Sequence, residues 1–98
     1  MRNLSNYLLT VIFGLMLMAF IQVPQKTIEG KVTSGGDPLP GVDVSVQGSN
    51  VGTVTNMKGE YSLQANADDT LVFSSLGYVN QKVAVSGKST INVRMPEE

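Results

Sequence analysis

Two patterns of apolar and polar positions divide the chain. Over residues 8–21 apolar side chains follow one another almost without a break, whereas from Thr27 onward apolar and polar residues alternate and glycine interrupts them at short intervals. The first pattern predicts a helix and the second a set of short strands, because successive side chains on a strand point to opposite faces. The alternation places seven strands, at 27–34, 42–47, 52–55, 60–65, 70–76, 79–85 and 89–95. Valine, isoleucine and threonine dominate them: residues 26–98 hold 11 Val, 2 Ile and 6 Thr against 4 Leu. Branched side chains of this kind suit a pleated sheet better than a helix.

The alternation also assigns faces. Ile28 and Val32 point inward with Gly30 between them, as do Val42, Val44 and Val46; Tyr61, Leu63 and Ala65; Val83 and Val85; and Ile91, Val93 and Met95. Leu71, Val72 and Phe73 are apolar on both faces, which predicts a central strand covered on each side. So many inward positions exceed what one sheet can bury, and a two-layer sandwich of meander or Greek-key order is expected.

Turn chemistry lies between the strands. The stretch 34–37, Ser-Gly-Gly-Asp, reads as a loose turn, and Pro38, Leu39, Pro40 and Gly41 as an extended corner, since proline fixes its own φ and restrains the residue before it. Residues 56–59 read as a hairpin turn, with Gly59 supplying positive φ and Asn56 accepting backbone N–H bonds. The stretches 67–69 and 86–88 are expected to close two further hairpins, and 96–98 form a tail.

Composition narrows the chemistry. Neither cysteine nor histidine is present, which excludes disulfides, thiolate nucleophiles, imidazole bases and nearly every zinc site. Residues 26–98 carry six Lys or Arg against eight Asp or Glu, a balance opposed to a nucleic-acid partner. Asp68 with Asp69, Glu60, and Glu97 with Glu98 lack the spacing of a calcium loop and read as solvated turns. Ser74 and Ser75 have no histidine to activate them and read as strand-face hydroxyls. No catalytic residue, cofactor or metal is therefore expected.

The first segment has its own logic. Met1 and Arg2 supply a positive start, and the 14-residue apolar run that follows reaches roughly 21 Å at about 1.5 Å per residue, short of the roughly 30 Å hydrocarbon core. This is the layout of a secretory signal peptide, residues 1–25, either cleaved or kept as an anchor. Residues 26–95 then form one small domain, near the lower size limit for independent folding.

The motifs taken in order resemble a known family. Ile28-x-Gly30-x-Val32 comes first, followed by Pro38-Leu39-Pro40-Gly41-Val42-x-Val44-x-Val46-x-Gly48 and Gly52-x-x-Thr55-Asn56-x-x-Gly59-x-Tyr61-x-Leu63. The series ends with Asp69-Thr70-Leu71-Val72-Phe73-Ser74-x-Leu76-Gly77-Tyr78. Together they resemble the carboxypeptidase regulatory-like domain. That resemblance implies a transthyretin-like fold, a seven-stranded Greek-key β-sandwich. With a signal peptide in front, the chain is similar to the N-terminal extension of SusC/RagA-type TonB-dependent outer-membrane transporters of Bacteroidetes. There such a domain precedes a TonB box, a plug and a barrel that imports glycans or other nutrients.

The resemblance implies export to the periplasmic side of the outer membrane. It also implies association with the barrel and plug, or with a periplasmic energy-coupling protein, and contact with the membrane only through the parent transporter. Residues 96–98 leave no room for plug or barrel, so two expectations stand: the leading part of a longer transporter, or a free-standing periplasmic or surface binding module. Asn56 stands where the family commonly carries aspartate, so no carboxylate is available at that turn. Leu76, Gly77, Tyr78 and Val79, following the central strand, are either a core corner or a docking patch.

Overall fold

A computed structural model describes residues 25–98; the signal peptide expected over residues 1–25 lies, apart from its last residue, outside the described residues. Eight strands appear: β1 Lys26–Ser34, β2 Asp37–Pro38, β3 Asp43–Val46, β4 Gly52–Val54, β5 Glu60–Ala65, β6 Thr70–Ser74, β7 Gln81–Ala84 and β8 Val93–Arg94. Each expected strand is found, the last as two residues. The addition is β2, whose two residues pair with the end of β1 (Thr33↔Pro38, Ser34↔Asp37). Gly35 and Gly36 between them both have positive φ, 60° and 89°. The stretch expected to be a loose turn is thus a two-residue hairpin of the primed type, whose twist matches that of the paired strands. Pro38 fits there because β2 is an edge strand.

The strands form two sheets, a β-sandwich. In the first, β1 pairs antiparallel with β5 over residues 26–31 and with β2 at its end, while β8 runs parallel along its other side (Val32↔Val93, Thr33↔Arg94). The second has the order β4-β3-β6-β7, all antiparallel. Pairing of β1 with β5 and of β3 with β6, neither consecutive in sequence, makes the order something other than a meander.

This topology corrects three turn assignments. The turns at 56–59, 67–69 and 86–88 do not close hairpins; each carries the chain from one sheet to the other, β4 to β5, β5 to β6 and β7 to β8. A tight turn reverses the chain whether the strand that follows lies beside the last one or across the core, so turn chemistry alone does not distinguish the two.

Between the sheets lie the inward positions given by the alternation. Ile28, Val32, Val42, Val44, Val46, Tyr61, Leu63, Ala65, Leu71, Phe73, Val85, Ile91, Val93 and Met95 are buried, and Val83 packs against them half-exposed. The rings of Tyr61 in β5 and Phe73 in β6 meet edge to face, centroids 5.4 Å apart at 76°, and tie the layers together. One expectation is revised: β6 is central within its sheet, but Val72 on its outer face is only half-buried. The fold has two layers, so only the strand's cross-strand neighbours, Ser45 and Lys82, flank Val72.

Candidate functional site

The corner expected from Pro38, Leu39, Pro40, Gly41 and Val42 is held by Thr55, a motif position to which the sequence pattern assigns no role. Thr55 is the one buried polar residue among the described residues. Its hydroxyl donates to the Leu39 carbonyl (2.8 Å) and accepts from the Val42 N–H (2.9 Å). Its backbone N–H donates to the Val42 carbonyl (3.0 Å), and its carbonyl accepts from the Gly41 N–H (3.1 Å). Four bonds thus fasten the corner to the end of β4, leaving the Thr55 hydroxyl with both a donor and an acceptor role filled.

The next turn is organised by Asn56. Its side-chain oxygen accepts from the backbone N–H groups of Lys58 and Glu60, each at 2.9 Å, while its carbonyl accepts from the Gly59 N–H (2.9 Å). These are the bonds expected of it. Gly59 has φ +75°, and a Cβ there would lie 2.5 Å from the Val32 carbonyl oxygen and 3.0 Å from the Leu39 nitrogen. The two motif stretches are therefore one structure: Val32 donates to the Gly59 carbonyl (2.8 Å) and accepts from Leu39 (2.9 Å).

Tyr61 sits opposite Gly30 in the β1–β5 register. A Cβ on Gly30 would overlap the Ile91 carbonyl group and approach the Tyr61 hydroxyl at 3.0 Å. Lacking one, β1 lets the phenol reach across it and donate to the Ile91 carbonyl in the segment leading into β8. Burial pushes the Tyr61 hydroxyl up to about 12, since a phenolate there would lose its water.

The stretch Leu76, Gly77, Tyr78 and Val79 divides between the two expectations for it. Leu76 is fully exposed at 101 % and Val79 less than half so, while Tyr78 is half-buried and packs against the core. Tyr78 donates its backbone N–H to the Ser75 carbonyl (3.1 Å), closing a turn in which Gly77 has φ +89°. The chain's last residues lie alongside: Val79 donates to the Pro96 carbonyl (2.9 Å), Glu98 donates to the Gly77 carbonyl (3.1 Å), and Tyr78 faces Glu97 in an antiparallel bridge. Residues 96–98 are thus paired at this corner, a contact the sequence pattern did not signal because one bridge leaves no alternation to read.

Groups able to perform chemistry do not converge. Among the described residues no three of His, Cys, Asp and Glu gather where a metal ion could be held. Asp69 spends a carboxylate oxygen on the Asn66 N–H (2.8 Å) within its own turn. Ser74 and Ser75 are half-buried beside the corner, lining a shallow hollow with Asp43, Tyr78, Asn80 and Glu98. A second open depression crosses the outer face of the first sheet, where Glu29, Lys31, Glu60, Ser62, Thr90 and Asn92 present a polar surface.

Sheets locked to one another by main-chain bonds at their turns define a small β-sandwich module. The chain belongs to the CarboxypepD_reg-like domain family, whose model matches residues 28–98. Its curated relatives include TonB-dependent receptor P26 of Formosa agariphila, 37 % identical over 79 residues, which are 81 % of this chain and 8 % of that receptor. TonB-dependent receptor SusC of Bacteroides thetaiotaomicron is 33 % identical over 85 residues, 86 % of this chain and again 8 % of the receptor. The chain therefore spans less than a tenth of the relatives it matches. Among solved structures, a type II cohesin–X-dockerin complex from Acetivibrio cellulolyticus contains a chain of the same fold. It has TM-score 0.60 and 17 % identity, covering 71 % of this chain and 56 % of that one.

Proposed function

We propose that this chain is a non-catalytic accessory domain of a TonB-dependent outer-membrane transporter for glycans or similar nutrients, exported by residues 1–25 and working on the periplasmic side through protein contacts. The observation that carries the reading is the 37 % identity to a TonB-dependent receptor over 81 % of this chain, which is only 8 % of that receptor. A segment of that size is a module of the transporter and not its pore. The lack of histidine and cysteine, and the engagement of Thr55, Asn56 and Tyr61 in backbone bonds, support a structural and docking role over a chemical one. Fold alone would not support it, because one fold hosts many functions.

The partners on this reading are the plug and barrel of the transporter or a periplasmic energy-coupling protein. Leu76 and its neighbours supply the contact surface, since a fully exposed leucine beside a half-buried tyrosine offers apolar area at a fixed corner. The test deletes residues 26–95 from the natural gene and measures nutrient uptake together with the amount of transporter in the outer membrane. Reduced uptake with the transporter still in place is expected. Uptake equal to that of the intact strain, with the domain confirmed absent, would overturn the proposal and favour a free-standing module.

A further inference from the structure

The corner at Gly77, Tyr78 and Val79 carries a three-residue antiparallel addition, and the strand added is the chain's own. Pro96 and Glu98 make the two main-chain bonds, one donated by Val79 and one donated to Gly77, and Glu97 sits opposite Tyr78. We infer that Gly77, Tyr78 and Val79 form a strand-docking edge with residues 96–98 as its resident occupant, a latch that closes over the Tyr78 corner and opens without unfolding the sandwich.

The latch has a firm base and a weak tip. Met95 is completely buried, and its N–H donates to the Thr33 carbonyl (2.9 Å), so the chain is anchored in the first sheet up to that point. Pro96 keeps Met95 extended and fixes its own φ, which aims the following residues along the 77–79 edge at reduced entropic cost. Beyond it, among the described residues, two backbone bonds hold the segment, and the side chains of Pro96, Glu97 and Glu98 are all exposed. Two net hydrogen bonds, helped by the ordering that Pro96 already supplies, outweigh the ordering of the remaining residues only narrowly, so the closed state is favoured by about tenfold and the open state stays accessible. Segments of that kind occupy the low-stability end of a structure and are the ones that exchange.

The latch joins the two sheets, since Met95 belongs to the strand region beside β1 and residues 77–79 connect β6 with β7. Opening it frees the Val79 N–H and the Gly77 carbonyl next to the exposed Leu76, giving an extended backbone the main-chain partners of strand addition. On the transporter reading proposed above, and only on it, closure would also set the direction in which polypeptide following residue 98 leaves the domain. The latch itself rests on contacts within this chain.

The experiment is amide hydrogen exchange, followed by NMR, on the full 98-residue chain, on a chain ending at Met95 and on Glu98→Pro, which lacks the donor to Gly77. The Val79 amide is expected to exchange at least tenfold faster in the shortened chain and severalfold faster in Glu98→Pro, with the Val44 and Leu71 amides unchanged. Glu98→Ala, which keeps its N–H, is expected to match the full chain. Equal Val79 rates in all four proteins would overturn the inference. So would faster exchange at Val44 and Leu71 in the shortened chain, which would make residues 96–98 part of the core and not a latch. None of these readouts depends on membrane location or uptake, so the latch and the transporter reading fail separately.

Discussion

The Tyr61 hydroxyl donates to the Ile91 carbonyl across a strand that neither residue belongs to, and it does so at the one position of that strand, Gly30, where there is no side chain to block it. Two strands, β5 and β1, and the segment leading into β8 are pinned at this crossing. Gly30→Ala places a Cβ on the Ile91 carbonyl group, and because Gly30 does not have positive φ the cost is steric. Backbone in the segment leading into β8 has to move, so a loss of about 2–4 kcal/mol is expected. Urea unfolding measures it. Gly36→Ala, which has open space but φ +89°, is expected to lose only about 1 kcal/mol.

Tyr61→Phe removes the donor and leaves the Ile91 carbonyl buried without it, at a cost of about 1–3 kcal/mol. The same bond predicts a pH dependence. In the folded protein the hydroxyl keeps its proton up to about 12, whereas the unfolded chain releases it near 10, so folded protein binds more protons between those values. The contribution of Tyr61 is complete below about pH 10 and is lost as pH rises through about 12. Stability of the wild type is expected to fall more steeply than that of Tyr61→Phe over this window. Parallel curves would remove the buried phenol from the account.

Thr55→Val keeps the shape of the side chain and deletes the hydroxyl that serves Leu39 and Val42. Two backbone groups then lose their partner, and a loss of about 2–3 kcal/mol is expected. Thr55→Ser retains both bonds and is expected to lose about 1 kcal/mol through its missing methyl group. Thermal unfolding of the pair separates bonding from packing.

Asn56→Ala takes away the acceptor shared by Lys58 and Glu60 and is expected to cost about 1–2 kcal/mol. Asn56→Asp keeps the acceptor and adds charge, so it is expected to equal or exceed the wild type in melting temperature. A melting temperature for Asn56→Asp as low as that of Asn56→Ala would contradict this account of the turn.

Leu76→Ser and Tyr78→Ala separate the two roles of the corner. Leu76 is fully exposed, and its replacement is expected to leave stability within about 0.5 kcal/mol. Tyr78 packs on the core, so Tyr78→Ala is expected to lose about 1–3 kcal/mol. Partner binding is therefore better read from Leu76→Ser, whose effect on binding carries no contribution from folding.

What could be read in the sequence was whatever local alternation encodes. Val42, Val44 and Val46 announce their inward face because the period of a strand is two, and Asn56 with Gly59 announces a turn because few other residues accept that geometry. Sheet membership was not legible. The chain after Asn56 enters the opposite sheet by pairing β5 with β1, about 30 to 40 residues away, and β8 lies parallel to β1 across about 60 residues, separations that no local window contains. Thr55 was hidden for a related reason. Threonine in a strand signals β-propensity, while its two hydroxyl partners, Leu39 and Val42, lie 16 and 13 residues away. The exposed polar ending Pro96, Glu97 and Glu98 reads as a tail, and only the fold brings Gly77 and Val79 beside it.

The transporter assignment is tested most directly by the size and membrane fraction of the native product, detected with an antibody against residues 26–95 in fractionated cells. The account predicts an outer-membrane band far heavier than this 98-residue chain, as expected when the matched segment is 8 % of the related receptors. A soluble periplasmic band no larger than the chain itself would contradict it.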